Sequence, residues 1–215
     1  MRFNVKIVES EKYIAQQIMQ AIASHLQQGV DKAKPRIITG LQDLLRKAIM
    51  DQPEYNALLN GDLRRELGIP QAHSAVASIV DAWVNNFSVS STPIVAQNNY
   101  IKGGFSISMV RSDYEDVLGL PESTIIDQNT GSVVPWLSWL LLAGGDILVR
   151  NYEVKFVQPT PRSRTQTAVM VSSKKNWRMP AEYAGTTKNN WVYRAISTLE
   201  NKIPSMIKTE LEKSL

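Results

Sequence analysis

Apolar residues recur every three or four positions from Ile14 to Ala48, and no other pattern in the chain runs as long. Ile14, Ile18, Ile22, Leu26, Val30, Ala33, Ile37, Leu41, Leu44 and Ala48 read as one face of a helix of almost ten turns. Ser10 stands where an N-cap belongs. Gly29 and Pro35 lower helix propensity without breaking the phase, which predicts a helix kinked near Pro35 or two helices nearly in line. About 40 helical residues would reach about 60 Å at 1.5 Å per residue. A helix that long projects from a small domain and needs neighbours, unless it folds back at the Gly29 to Pro35 region. Ahead of it, Phe3, Val5 and Ile7 alternate with polar residues and predict a short strand over 3–8.

Punctuation sets the next elements. Pro53 opens a short helix that Gly61 closes, and Asp62 and Gly68 bracket another. Pro70 starts a third, with Ala72, Val76, Ile79, Val80, Trp83, Val84 and Phe87 on one face. Period two takes over from residue 87: Phe105, Ile107 and Met109 alternate with Ser106 and Ser108 after Gly103-Gly104. A helical turn over Asp113 to Leu118, a turn at Asp127 to Gly131 and a compact helix from Pro135 to Leu142 interrupt the strands. Residues 146–157 and 167–172 predict two strands joined by the polar basic loop 160–166, the tip of a β-hairpin. Residues 174–190 are irregular, and a closing helix from about Thr187 to Lys213 bends at Pro204.

The fold class expected is therefore α+β, with a long N-terminal helical region, an antiparallel sheet carrying inserted short helices, and a long C-terminal helix. At 215 residues the chain reads as a single domain, mainly helical over 1–86, mainly β over 87–186 and helical again over 187–215.

Composition narrows the chemistry. Without cysteine there is no disulfide scaffold, thiolate zinc site, iron–sulfur cluster or cysteine nucleophile, and His25 and His73 alone do not make a histidine metal site. No phosphate-binding glycine loop, nucleophile elbow or H-E-x-x-H helix occurs. The expectation is a chain that is not an enzyme, with no cofactor, no metal, no signal peptide and no membrane segment. One acidic set resembles that of metal-dependent nucleases: Asp146 ahead of Glu153-Val154-Lys155. Glu153 and Lys155 share a strand face, whereas Asp146, seven residues earlier, falls on the other. Asp113, Glu115 and Asp116 read as a solvated helix start.

Net charge is +4, but it is unevenly spread. Residues 1–149 hold twelve basic against fifteen acidic side chains, and residues 150–194 hold nine basic against Glu153 and Glu182. Arg162 and Arg164 at the hairpin tip, with Lys174, Lys175 and Arg178 beyond it, are the candidate residues facing nucleic acid, suited to phosphates rather than to base sequence. Trp177 and Tyr183 lie among them and either stack on bases or pack the loop onto the sheet.

From residue 135 onward the order of features resembles tailed-bacteriophage neck and tail-completion proteins, the group that includes the minor tail protein Z. The resemblance rests on Pro135-Trp136-Leu137 with Trp139-Leu140 and Gly144, the Arg162-Ser163-Arg164 loop between two strands, and Trp177-Arg178-Met179-Pro180. Ala184-Gly185-Thr186 and Asn190-Trp191-Val192, leading into the final helix, complete it. It implies a virion structural protein assembled in the host cytoplasm. Such a protein forms a homo-oligomeric hexamer or dodecamer ring at the head–tail joint, between the portal or adaptor and the tail terminator or tail tube proteins. Genomic DNA would pass through it with nonspecific contact. The helical portion 53–86 departs from that plan. The alternatives are a metal-dependent nuclease and a nonspecific nucleic-acid-binding protein.

Overall fold

The computed structural model describes residues 8–97, 100–108, 114–127, 131–161 and 163–215. Residues 3–7 of the strand expected over 3–8, Met109 and Asp113 lie outside the described residues, as does Arg162. The α+β expectation is met. Eight helices are described, α1 (Glu11–Met50), α2 (Pro53–Leu59), α3 (Asp62–Leu67), α4 (Ala72–Asn85), α5 (Glu115–Leu118), α6 (Trp136–Leu142), α7 (Trp191–Ser197) and α8 (Lys202–Glu212). Among the described residues the strands form three antiparallel pairs rather than one sheet: β1 (Ser88–Gln97) with β2 (Tyr100–Ser108), β3 (Ile125–Ile126) with β4 (Val133–Val134), and β5 (Tyr152–Phe156) with β6 (Ala168–Ser172).

α1 is one unbroken 40-residue helix, with Pro35 inside it and the Ser10 hydroxyl accepting from the Tyr13 amide at 3.3 Å. Its apolar residues do not form a single stripe. Steps of four advance by about 40° more than a full turn, so Ile14 and Leu26 stand about a third of a turn apart. The buried line is Ala23, Val30, Ala33, Ile37 and Leu41, continuing through Leu45, Ala48 and Ile49. Ile18 and Ile22, on another face, are 53% and 42% exposed.

The chain resolves into two compact units. The first gathers the described residues of Met1–Leu41, Ser88–Ser108 and Ile203–Leu215. Within it α8 runs against α1: an added Cβ at Gly40 would lie 3.1 Å from the Met206 sulfur, and one at Gly29 would meet Leu215 at 2.5 Å. Arg36 Nε bonds Glu210 at 2.9 Å, and Lys213 bonds the same carboxylate at 2.6 Å. Together these two cations hold the Glu210 carboxyl below its usual range, Lys213 contributing most. The hairpin β1–β2 shifts register between Thr92 and Val95, where the Ile94 amide donates to Gln27 Oε1 of α1 at 2.7 Å. The closing helix expected over 187–213 is interrupted at Thr198–Asn201. Pro204 then sits in the first turn of α8, where a missing N–H costs nothing, and starts a helix rather than bending one.

The second unit, the described residues of Gln42–Phe87 and Met109–Lys202, holds most of the core. Trp83, Trp136 and Trp191 are fully buried there, with Leu58, Leu63, Ile79, Leu137 and Leu140. The Trp83 and Trp191 rings meet edge to face at 5.2 Å, and the Trp191 indole N–H donates to the Ile49 carbonyl at 2.9 Å. Asn190 caps α7 by accepting from the Tyr193 amide, and its amide group donates to Tyr114 Oη at 2.8 Å. Gly185 is obligatory in this layer: a Cβ would stand 2.6 Å from the Leu140 carbonyl oxygen.

Candidate nucleic-acid interface

The strand expected over 146–157 is shorter than its sequence. Asn151 takes φ 62°, a left-handed turn that separates the bridge of Val149 with Trp177 from β5. β5 and β6 then pair in register from Tyr152 with Ser172 to Phe156 with Ala168. The ladder extends through the Val157 amide to the Thr167 carbonyl at 2.9 Å. The loop between them is tied internally by the Thr160 amide donating to Gln166, also at 2.9 Å, and by Ser163 Oγ donating to the Ala168 carbonyl. The basic loop is thus the closed end of a hairpin, as its sequence predicts.

Its arginine does not stand clear of the surface. Arg164 lies 3.8 Å from Asp127 Oδ2, and its guanidinium occupies the space beside Gly68, where an added Cβ would lie 3.0 Å from Nη2. Gly68 takes φ 70° as the left-handed cap of α3. Arg164 lines a cavity of about 280 Å³ together with Arg65, Glu66, Trp139 and Trp177. Arg65, which lies outside the basic block of the sequence, joins it here. It reaches the hairpin by donating to the Thr167 carbonyl at 3.2 Å and by placing its guanidinium carbon 3.9 Å from the Phe156 ring centroid, while Nη1 holds Asp62 at 2.8 Å. The Arg64-Arg65 pair was visible in the sequence, but only the fold carries it across 102 positions to Thr167.

Lys175 and Arg178 border a second, shallower depression. Lys175 Nζ is 2.9 Å from Glu153, with Lys155 at 3.6 Å from the same carboxylate. Lys175, chiefly by hydrogen bonding, holds the Glu153 carboxyl below its ordinary range, and its own ammonium is raised in return. Arg178 donates to the Gly145 carbonyl at 2.8 Å. Arg150, Lys174 and Lys188 are exposed. Lys175 and Arg178 therefore share one depression, Arg164 lines the other, and Trp177 walls both.

Trp177 is buried, tilted against Trp139 at 5.8 Å and donating to Glu66 Oε2 at 3.3 Å, so it packs the loop and is not free to stack on a base. Tyr183 is half-buried, and burial, with Glu182 beside it, raises its phenol. Of the nuclease set, Asp146 lies in the turn after α6 rather than on β5, and Glu153 is taken up by two lysines. Among the described residues no group of three histidine, aspartate or glutamate side chains converges as a metal site.

Glu66 makes a test of this packing. Burial pushes its carboxyl above 4.5, against the Trp177 hydrogen bond that lowers it, and Asp62 and Glu182 add to the rise. A folded value above the unfolded one means stability that is full below the unfolded value and lost as pH rises through the folded value. Glu66→Gln keeps an oxygen for Trp177 and should resist urea better than the natural chain at neutral pH, the difference closing below 4.5. A natural chain that is the more stable of the two at neutral pH contradicts it.

No family model, curated protein or solved structure matches the chain.

Proposed function

We propose that the chain is a structural protein of the tailed-phage virion, a neck or tail-completion subunit that forms a ring around the DNA channel at the head–tail joint. The observation that carries this reading is the element order over residues 135–215: α6, the β5–β6 hairpin with its basic loop, Trp177 bridged to Val149, Gly185 against α6, and Asn190 capping α7. That succession is the one on which the resemblance to neck proteins rests. On this reading the protein is not an enzyme. The ring is a homo-oligomer of six or twelve copies between portal or adaptor and tail proteins, and the basic edge of Arg162, Arg164, Lys174, Lys175 and Arg178 touches genomic DNA without reading its sequence.

Labelled antibody against the chain, imaged on intact particles, should mark the joint between head and tail; a label on the tail tip, or none on particles, overturns the reading. DNA binding supplies a second check. Lys174→Ala with Arg162→Ala should weaken binding equally for unrelated sequences and reduce the slope of log affinity against log salt by roughly one to two. An unchanged slope removes the DNA contact from the proposal.

A further inference from the structure

The cavity beside the hairpin loop is lined entirely by residues of the second unit. Four pieces of chain close on it. α3 brings Arg65, α6 brings Trp139, and the loop brings Arg164. The fourth is the face of the β5–β6 hairpin on which Val154 and Met170 stand opposite each other in the ladder. At about 280 Å³ it lies close to the lower limit of small-molecule sites, which span about 300–1,000 Å³.

Two guanidinium groups reach this cavity with donors unfilled. The Arg164 side chain donates no hydrogen bond among the described residues, and its ion-pair partner Asp127 Oδ2 stands 3.8 Å away, beyond bonding distance. Arg65 commits Nη1 to Asp62 and Nη2 to the Thr167 carbonyl, while its Nε is buried without an acceptor. The two side chains are only 32% and 37% exposed, Arg65 the less, so an acceptor that reached both would relieve a real cost. The walls opposite are apolar: Trp139 is half-buried, and Met170, although paired in a strand, is 42% exposed.

Those two halves select the ligand chemistry. A guanidinium fork matches the two coplanar oxygens of a carboxylate. A phosphate dianion would set a second negative charge against Asp127 and Glu66, which share the cavity. A DNA backbone offers sugar and phosphate, with no apolar body for Trp139 and Met170. A carboxylate carried on a small apolar or aromatic body satisfies the donors and covers the walls together.

We propose that this cavity binds a small organic monocarboxylate, its oxygens held by Arg164 and Arg65 and its apolar body laid against Trp139, Val154 and Met170. The site goes beyond the ring reading and does not rest on it.

Calorimetric titration of the full chain with phenylacetate tests it. The natural chain should bind with a dissociation constant of about 1 mM or tighter. Phenylacetamide, which keeps the ring but not the charge, and acetate, which keeps the charge but not the ring, should each bind at least about tenfold more weakly. Arg164→Gln should weaken phenylacetate at least about tenfold and leave the melting temperature of the free chain nearly unchanged, because the side chain makes no hydrogen bond in the fold. Should that variant fail to fold, Met170→Ser reads the other half of the site, weakening phenylacetate while leaving acetate as it was. No heat from phenylacetate with the natural chain up to about 10 mM overturns the site, as does Arg164→Gln that binds as the natural chain does. Phenylacetamide or inorganic phosphate binding as tightly as phenylacetate overturns the carboxylate.

Discussion

Trp191→Ala should cost about 3–5 kcal/mol, the range for truncating a fully buried aromatic residue, and lower the melting temperature by roughly 10 °C. Three contributions meet at this ring. Its burial is complete, its edge-to-face contact with Trp83 at 5.2 Å adds about 0.5–1.5 kcal/mol, and its N–H satisfies the Ile49 carbonyl at 2.9 Å. The cavity left behind would be walled by side chains of α1 and α4 that cannot all collapse into it. Trp191→Phe separates the terms: it keeps most of the apolar area and loses the hydrogen bond, for a cost nearer about 1 kcal/mol plus a small void. Chemical denaturation of the two variants reads both numbers. Equal losses in Phe and Ala would mean that the hydrogen bond, not the packing, dominates.

Arg194→Met should be of similar size for a different reason. Glu54 is fully buried at the start of α2, and Arg194 of α7 reaches it as its ion-pair partner while also donating to Asn189 Oδ1 at 2.8 Å. Removing the arginine leaves a carboxylate among apolar neighbours, a penalty of about 3–5 kcal/mol. Its second oxygen, Glu54 Oε2, already has no hydrogen-bond partner among the described residues, so little remains to absorb the loss. Glu54→Gln combined with Arg194→Met removes both charges and should recover most of the stability. Denaturation midpoints of the single and double variants give the coupling. A double variant no better than Arg194→Met would show that the arginine acts by packing its stem rather than by its charge.

Local grammar accounts for what was legible beforehand. Pro53, Gly61, Gly68 and Pro70 bound α2, α3 and α4 to within two residues, because each acts on the backbone where it stands. The β5–β6 hairpin followed from alternation on either side of a polar loop. Three features were hidden for physical reasons. Asn151 looks like any strand residue until its amide meets Asn176 Oδ1 at 3.1 Å and its φ turns positive. The two faces of α1 merged because steps of four resemble a stripe unless the angular drift is followed. At the candidate interface, the composition of residues 150–194 carries the basic block, but not the return of Arg164 onto Gly68, nor Arg65 joining it from α3. Those depend on partners far away in sequence, such as Trp177 and Glu66, 111 positions apart, which no local period records.

The placement of Trp191 and Arg194 also sets an order of events in time. Their partners, Ile49 and Glu54, precede them by 142 and 140 positions. A chain emerging from the ribosome therefore carries the Trp83 face, the Ile49 carbonyl and an unpaired Glu54 until Trp191 and Arg194 have been made. Closing loops that long costs entropy before any contact repays it, which slows the final step. The core of the second unit is thus completed from its C-terminal side, and nascent chains lack the seal that α7 provides until residues 191–197 are made.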